Sequence, residues 1–382
     1  MLNSVIIYCR PGFEKEAAVE ITDLASAIGV FGYPKVIENS AWVSFVTHDE
    51  NGALQLMEQL DFASLIFARQ WFAASPLMEN LPEKDRIGPL IERVKEMERV
   101  KEIASGKFSD FRFSDWSVEY PDTNVGKEVS PFCRKITVPL RQSLKRSGLL
   151  IGSVKNSEKA SEKLSNKFSS KFRLHFMFLS GQEAWVGVSR IDNSSSWVMG
   201  IPRLRQPKGA PSRATLKLEE AWHCFIPEKE WATRIPAGKR AIDLGAAPGG
   251  WTWQLVEQGM FVDAVDNGPM APELMATGMV DHIQGDAFTY EPKKPVYWLV
   301  SDIADKPARV ADLVGRWIAK GLCREAVFNL KLPMKQRYKE VLNCRNKIEM
   351  RVSEAGVRYE LRFRQLYHDR EEVTGHIRVL IG

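Results

Sequence analysis

Apolar positions in the first seventy residues alternate between two periods. A β-rich run, SVIIYC at residues 4–9, gives way to helical spacing from residue 13 to about residue 28, where Ala17, Val19, Ile21 and Leu24 are among the apolar positions. Further β-rich segments at 35–37 and 41–46, helical spacing at 51–60 and a strand at 65–72 complete the order βαββαβ, a ferredoxin-like arrangement.

A Pro/Glu-rich break, SPLMENLPEKD, then interrupts the pattern, and a charged helix is expected from 87 to about 104. Beyond it lie a strand at 116–120, a helical region containing 138–144, and two β segments at 172–179 and 183–190 joined by SGQ, a hairpin connection. The stretch IPRLRQPKGAPS, with three prolines, reads as an extended linker. After it strands and helices alternate to the end: helix 212–224, strand 240–244, helix 251–258, strand 261–265, strand 297–301, helix 308–320, strand 326–331, helix 335–355, and terminal strands at 358–363 and 376–381. The predicted fold is α/β. A doubly wound, Rossmann-like domain at 212–382 follows two small α+β domains at 1–79 and 80–200 and a linker at 201–211.

Length and composition agree with several domains. The chain has 382 residues, 44% apolar and 26% charged, which is too long for one core and excludes wholesale disorder, a collagen repeat or a disulfide-stapled miniprotein. No apolar run approaches the roughly 18 residues that span a bilayer, and Arg10, Glu14 and Glu16 interrupt the start too early for a signal peptide, so a cytoplasmic protein with no membrane partner is expected. Five cysteines without a CxxC pair and six histidines without HExxH spacing lead to the expectation of reduced thiols and no metal site. The net charge of +5 is unevenly spread. Residues 134–173 hold eleven Lys/Arg against two Glu, so this block carries +9 and the remainder −4. Such a block is an ordinary solvated face or the footprint of a phosphate-backbone partner.

The most informative stretch is AIDLGAAPGGWTWQL, an apolar strand ending in Asp243, then a turn of small residues leading into a helix. Gly245, Ala246, Gly249 and Gly250 let backbone approach a ligand at a strand-to-helix switch. The spacing is not GxGxxG, and Pro248 removes an amide donor, so a nucleoside with an uncharged tail suits the loop better than a dinucleotide or triphosphate. Asp266, Asp286 and Asp302 each follow a predicted strand. Carboxylates there can receive ribose hydroxyls (Asp266) or an adenine amino group (Asp286), though singly each is equally an ordinary cap or loop residue.

The motifs SRATLKLEE, DLGAAPGGWT, SDIAD and NLKLP resemble those of the FtsJ-type ribose 2′-O-methyltransferases across residues 212–382. The N-terminal half resembles the ferredoxin-like and THUMP domains of RNA-modifying enzymes, and the whole is similar to bacterial enzymes that methylate a cytidine ribose in 23S ribosomal RNA. The resemblance implies S-adenosylmethionine as donor, held by Ser212, Ala247, Pro248, Gly249, Gly250, Asp266, Asp286 and Asp302, with 23S ribosomal RNA or a large-subunit precursor as partner. It also implies a Lys-Asp-Lys-Glu tetrad that falls on Lys217, Asp302, Lys331 and Glu372. Glu371 is the competing choice for the fourth position, and Trp251 stands beside the donor loop or in the core.

Methyl transfer from a sulfonium to a ribose hydroxyl needs an in-line approach and a group that removes the hydroxyl proton. A lysine does this only when neutral, against a free pKa of about 10.4. Like-charge pressure from Lys217 and the sulfonium would oppose protonation of Lys331, the expected general base, while Lys217 would position the hydroxyl. A sulfonium is already an activated leaving group, so no metal is expected to assist. Two other classes compete: a non-catalytic RNA-binding factor that retains the fold, and an NAD-dependent oxidoreductase, which the GAAPGG spacing opposes.

Overall fold

The structure, a computed structural model, describes residues 2–97, 112–150 and 171–380. The chain divides into two units, Met1–Ile201 and Pro202–Gly382.

In the first unit the opening elements are β1 (Ser4–Tyr8), α1 (Glu14–Ala27), β2 (Gly32–Val36), β3 (Trp42–Thr47), α2 (Gly52–Gln59) and β4 (Gln70–Ala74). They form an antiparallel β2-β3-β1-β4 sheet, the ferredoxin-like order. The strand expected at 65–72 begins later, at Gln70, for a local reason. Glu20, buried on α1, accepts the amides of Ile66 (2.6 Å) and Phe67 (3.0 Å), which takes the preceding residues out of the ladder.

The elements α3 (Ile87–Lys95), β5 (Asp115–Glu119), α4 (Asn124–Arg146), β6 (Phe172–Phe178) and β7 (Ala184–Arg190) follow. The helix expected to reach about residue 104 ends at Lys95 within the described residues, and residues 98–111 lie outside them, as do residues 151–170 of the basic block. Strand β7 pairs with β4 at Ala73↔Val188 and Ala74↔Gly187, giving a seven-stranded sheet of order β2-β3-β1-β4-β7-β6-β5. The position near residue 80 therefore divides two chain segments that share one sheet and one core, from Leu2 to Val188. Pairing the open edge of β4 removes an exposed ladder that would otherwise invite other chains.

Two further features hold the join. A Cβ on Gly187 would stand 2.2 Å from the Ala73 carbonyl oxygen, so the close approach of the strands requires glycine there. On the buried side, Tyr8 of β1 donates to Glu119 of β5 (2.6 Å), which also receives Ser117 (2.9 Å) and faces His175 Nδ1 at 3.1 Å. Burial alone would raise the Glu119 pKa, but His175 and the hydrogen bonds from Tyr8 and Ser117 push it down to about 2.

The second unit begins with α5 (Thr215–Phe225) and continues with β8 (Arg240–Leu244), α6 (Gly250–Glu257), β9 (Phe261–Val265), β10 (Val280–Ile283), β11 (Val296–Ser301), α7 (Pro307–Ala319), β12 (Cys323–Lys331), α8 (Arg337–Glu354), β13 (Tyr359–Arg364) and β14 (Glu372–Val379). The sheet order is β10-β9-β8-β11-β12-β14-β13, parallel through β12 and antiparallel at β14 and β13. Helix α5 packs with α6, and α7 with α8. This is a doubly wound sheet with an antiparallel hairpin at one edge. No described helix is long and apolar enough to cross a membrane.

The substitution Gly187→Ala is expected to destabilise the first unit by about 2 kcal/mol, the usual cost of overpacking against fixed backbone. Gly181→Ala is the matched control, since its Cβ would meet only an Arg86 side-chain atom at 3.8 Å. Urea midpoints for the two variants would separate these outcomes.

Candidate active site

Chain order along the second sheet places a crevice. After β8 the chain winds outward through β9 and β10, then returns so that β11 pairs with the other side of β8. The connections leaving β8 and β11 diverge at their carboxyl ends, where doubly wound sheets open a ligand crevice. The glycine loop follows β8, and Asp302 follows β11.

These two segments touch. A Cβ on Gly245 would lie 2.8 Å from Ile303 Cγ1, beside Asp302. Gly249 has φ +112° and caps the start of α6, and a Cβ there would meet Leu274 Cδ2 at 2.5 Å, so no other residue fits without strain. A Cβ on Gly250 would approach Ser212 Oγ to 2.3 Å, which brings Ser212 against the loop. Thr215 Oγ1 ties the two starts together, 3.0 Å from the Gly250 carbonyl and 2.9 Å from that of Ser212.

Asp266 accepts the amides of Ala247 (3.1 Å) and Gly268 (2.7 Å) and so braces the loop from the end of β9. Asp286, exposed, accepts the Phe288 amide at 3.0 Å in a local turn. Trp251 is buried in the core of the unit, consistent with packing. Asp243 is buried at the end of β8 and accepts from Thr252 Oγ1 of α6 at 2.7 Å. Burial, opposed by that hydrogen bond but reinforced by Asp302 and Asp266, pushes its pKa up to about 7.

Beside the loop four charged side chains close a ring. Lys217 Nζ donates to Asp302 Oδ2 (3.2 Å) and pairs with Glu372 Oε1, while Lys331 Nζ donates to Asp302 Oδ1 (2.6 Å) and Glu372 Oε2 (2.5 Å). Each ammonium thus bridges both carboxylates. Glu371, the neighbour that strand alternation turns away, pairs instead with Arg337 at 2.6 Å.

Three elements set this arrangement. Lys331 and Glu372 are direct cross-strand partners of β12 and β14. Lys217 lies in the first turn of α5, where the helix dipole disfavours a cation, and it stays there because two carboxylates receive it. Three residues on along that helix, Glu220 accepts the amides of Tyr367 (2.7 Å) and His368 (2.9 Å), pinning the connection that leads into β14. Burial works against the Lys217 ammonium, yet Asp302 and Glu372 outweigh it and raise its pKa. For Asp302 burial works against the carboxylate, and Lys217 and Lys331 outweigh it and lower its pKa. The Lys331 side chain is the more open of the two lysines, 29% exposed against 14% for Lys217.

Behind the ring stand three buried residues that sequence reading did not single out. Asn329 Nδ2 donates to Asp302 Oδ1 (2.9 Å), and Thr374 and Asp369 lie behind Asn329. The period of two along each strand was the available signal, because 329 shares a face with 331 and 374 with 372.

Three family models match successive parts of the chain: "RlmM ferredoxin-like domain" over residues 2–72, "Ribosomal RNA large subunit methyltransferase M, N-terminal" over 85–190, and "FtsJ-like methyltransferase" over 210–342. The chain is 52% identical over 378 residues to ribosomal RNA large subunit methyltransferase M of Cellvibrio japonicus (strain Ueda107), covering 99% of this chain and 100% of that one. It is 48% identical to the protein of the same name from Pectobacterium carotovorum subsp. carotovorum (strain PC1), over 99% and 96% of the two chains. The figures for the Pseudomonas putida (strain W619) protein are 47%, over 99% and 98%.

The raised Asp243 pKa has a signed consequence for stability. The folded state binds its proton more tightly than the unfolded chain does, so the contribution of Asp243 to stability falls as pH rises from about 4 to about 7. Asp243→Asn keeps an acceptor for Thr252 and lacks this loss. The stability of the variant relative to wild type should therefore increase through that window, as thermal midpoints across pH would show.

Proposed function

The chain belongs to the ribosomal RNA large subunit methyltransferase M family, and from that premise we propose that it transfers a methyl group from S-adenosylmethionine to the 2′-hydroxyl of a cytidine ribose in 23S ribosomal RNA, or in a precursor of the large subunit, in the cytoplasm. The observation that carries this reading is the closed ring of Lys217, Asp302, Lys331 and Glu372 beside the glycine loop.

The loop suits a nucleoside donor. Side chains at Gly245, Gly249 or Gly250 would fill space or clash, and Asp266 and Asp286 offer carboxylates on the same edge of the sheet. Together with Ser212, Ala247, Pro248 and Asp302 they are the residues that would hold the donor. Bound there, S-adenosylmethionine would supply an activated methyl carbon on a sulfonium, with the sulfur as the leaving group that would keep the carbon–sulfur electron pair. Lys331, in its neutral form, takes the proton from the 2′-hydroxyl at Nζ. Lys217 remains an ammonium, in keeping with its raised pKa, and donates a hydrogen bond that holds the hydroxyl oxygen. Asp302 and Glu372 hold both nitrogens in place and receive positive charge as Lys331 becomes protonated.

Helix α4 supports an RNA partner. Lys127, Arg134, Lys135, Arg141, Lys145 and Arg146 are exposed on it, and among the described residues none stands in an ion pair, whereas Lys15, Lys95 and Arg190 elsewhere in the unit do. Lys127, Arg134, Arg141 and Lys145 recur at intervals of seven, seven and four, which aligns them on one side of the helix over roughly 27 Å. A row of cations of that length, without an ion-pair partner among the described residues, suits a phosphate backbone.

Lys331→Ala is expected to lower single-turnover methyl transfer by roughly 10²-fold or more with donor binding little changed, and Lys217→Ala to do the same. Glu372→Ala should lose activity where Glu371→Ala keeps it. Labelled methyl transfer to 23S ribosomal RNA, with calorimetry for the donor, reads all four. Retained transfer in both lysine variants would remove the proposed chemistry, and absence of transfer by the wild type would leave a binding factor.

Asp302, held below the usual carboxylate range, is ionised near neutrality, so its titration sets no acid limb of the rate there. For the RNA face, replacing Arg134 and Arg141 together by alanine should weaken RNA binding. The slope of log affinity against log salt should fall by roughly 2, one for each phosphate that no longer has an arginine beside it. Filter binding at several salt concentrations would measure it.

A further inference from the structure

Behind the ring, hydrogen-bond direction is determined by counting protons. Asp302 Oδ1 is a carboxylate oxygen that already accepts Lys331, so the Asn329 group 2.9 Å from it must be the amide nitrogen, a donor. That orientation turns Asn329 Oδ1, an acceptor, toward Thr374 Oγ1 at 2.7 Å. The Thr374 hydroxyl has one proton, and Asn329 Oδ1 requires it. Yet Thr374 Oγ1 also lies 2.9 Å from Asp369 Oδ2 and 3.2 Å from Oδ1. Two oxygens at this separation with no proton between them repel, so the proton has to come from Asp369.

We propose that Asp369 is held as the neutral acid and heads a one-way donor chain, Asp369 to Thr374 to Asn329 to Asp302, whose first three members are positioning residues that fix the Asp302 carboxylate in the methyl-transfer site. The surroundings of Asp369 agree with this. It is 1% exposed and is faced by the Glu372 carboxylate of β14 and the Glu220 carboxylate of α5, which together with burial outweigh the Leu366 amide it accepts at 2.9 Å and the Lys217 ammonium of α5, both of which favour the ionised form. Burial, followed by Glu372, raises its pKa well above the usual aspartate value. The register makes the chain continuous. Asn329 and Thr374 are cross-strand partners on β12 and β14, two residues from the Lys331–Glu372 pair and on the same face.

A carboxylic acid at the far end prevents Thr374 from turning away from Asn329, and Asn329 in turn cannot flip without setting its oxygen against Asp302. Asp302 is then constrained from behind while the lysines engage it from the front. The functional part of this inference rests on the proposed role of the ring, whereas the protonation state does not.

The test has two arms on the full chain. In the first, the protein is labelled with ¹³C at aspartate side-chain carboxyls, and the spectrum at neutral pH should contain a protonated carboxyl signal that Asp369→Asn removes. Asp243→Asn identifies any signal from Asp243, whose pKa lies near neutrality. A spectrum in which every other aspartate is ionised would overturn the proposal, and this reading is independent of activity. In the second, Thr374→Val should lower kcat by on the order of 10-fold to 100-fold with little change in KM. Thr374→Ser should restore it, and the loss of kcat expected in Asp369→Ala should be reversed in Asp369→Asn, whose amide still donates to Thr374. An unchanged kcat in Thr374→Val, or a collapse in Asp369→Asn, would overturn the positioning role. Loss of the Lys331 base reading would instead appear as activity retained in Lys331→Ala, with the carboxyl signal still present.

Discussion

Two ammonium groups and two carboxylates share one partly buried square in the second unit, and much of that unit can be understood from the need to keep them alternating. Buried charges are costly unless paired and saturated with hydrogen bonds, and removing one member leaves its partners uncompensated. Here each lysine touches both carboxylates, so the square is electrically neutral and every edge attractive. That requires four chain segments far apart in sequence to meet within hydrogen-bond distance. The antiparallel pairing of β12 with β14 supplies Lys331 opposite Glu372, the end of β11 supplies Asp302, and α5, secured by Glu220 to the turn before β14, supplies Lys217.

The glycine loop and the ring are two consequences of one topology. Divergence of the chain at β8 and β11 opens the edge of the sheet, and close packing of Gly245 on Ile303 places the loop next to the segment that carries Asp302. A donor held in the loop and a hydroxyl held by the ring would then need no large rearrangement to meet, the condition under which orientation contributes most to rate.

The first unit shows a different economy of parts. Two α+β segments complete each other's sheet edge, and the buried Tyr8–Glu119–His175 cluster ties β1 of one segment to β5 and β6 of the other. Helix α4, which bears the row of cations, packs through Cys133, Ile136, Leu140 and Leu144 into the same core.

Much of this was legible from residue order. The βαββαβ opening, the alternating second half and the strand–loop–helix around DLGAAPGGW follow from period and from glycine and proline placement, and each lies within a few residues of its observed bounds. The late start of β4 was hidden because the residue responsible, Glu20, lies on a different element and competes for amides through its side chain. The shared sheet was hidden for a similar reason: a strand's period reveals its faces and leaves its edge partner open, and Gly187 acquires its meaning only against the Ala73 carbonyl. At the site, the family resemblance pointed to Lys217, Asp302 and Lys331 and to Glu372 over Glu371, whereas Asn329, Thr374 and Asp369 depend on which strand lies beside which and in what register. Local propensity and spacing act over a handful of neighbours, so a sequence by itself determined the elements and the chemical groups on offer. Register, burial and the direction of each hydrogen bond belong to contacts between residues tens of positions apart, and only the folded chain decided those.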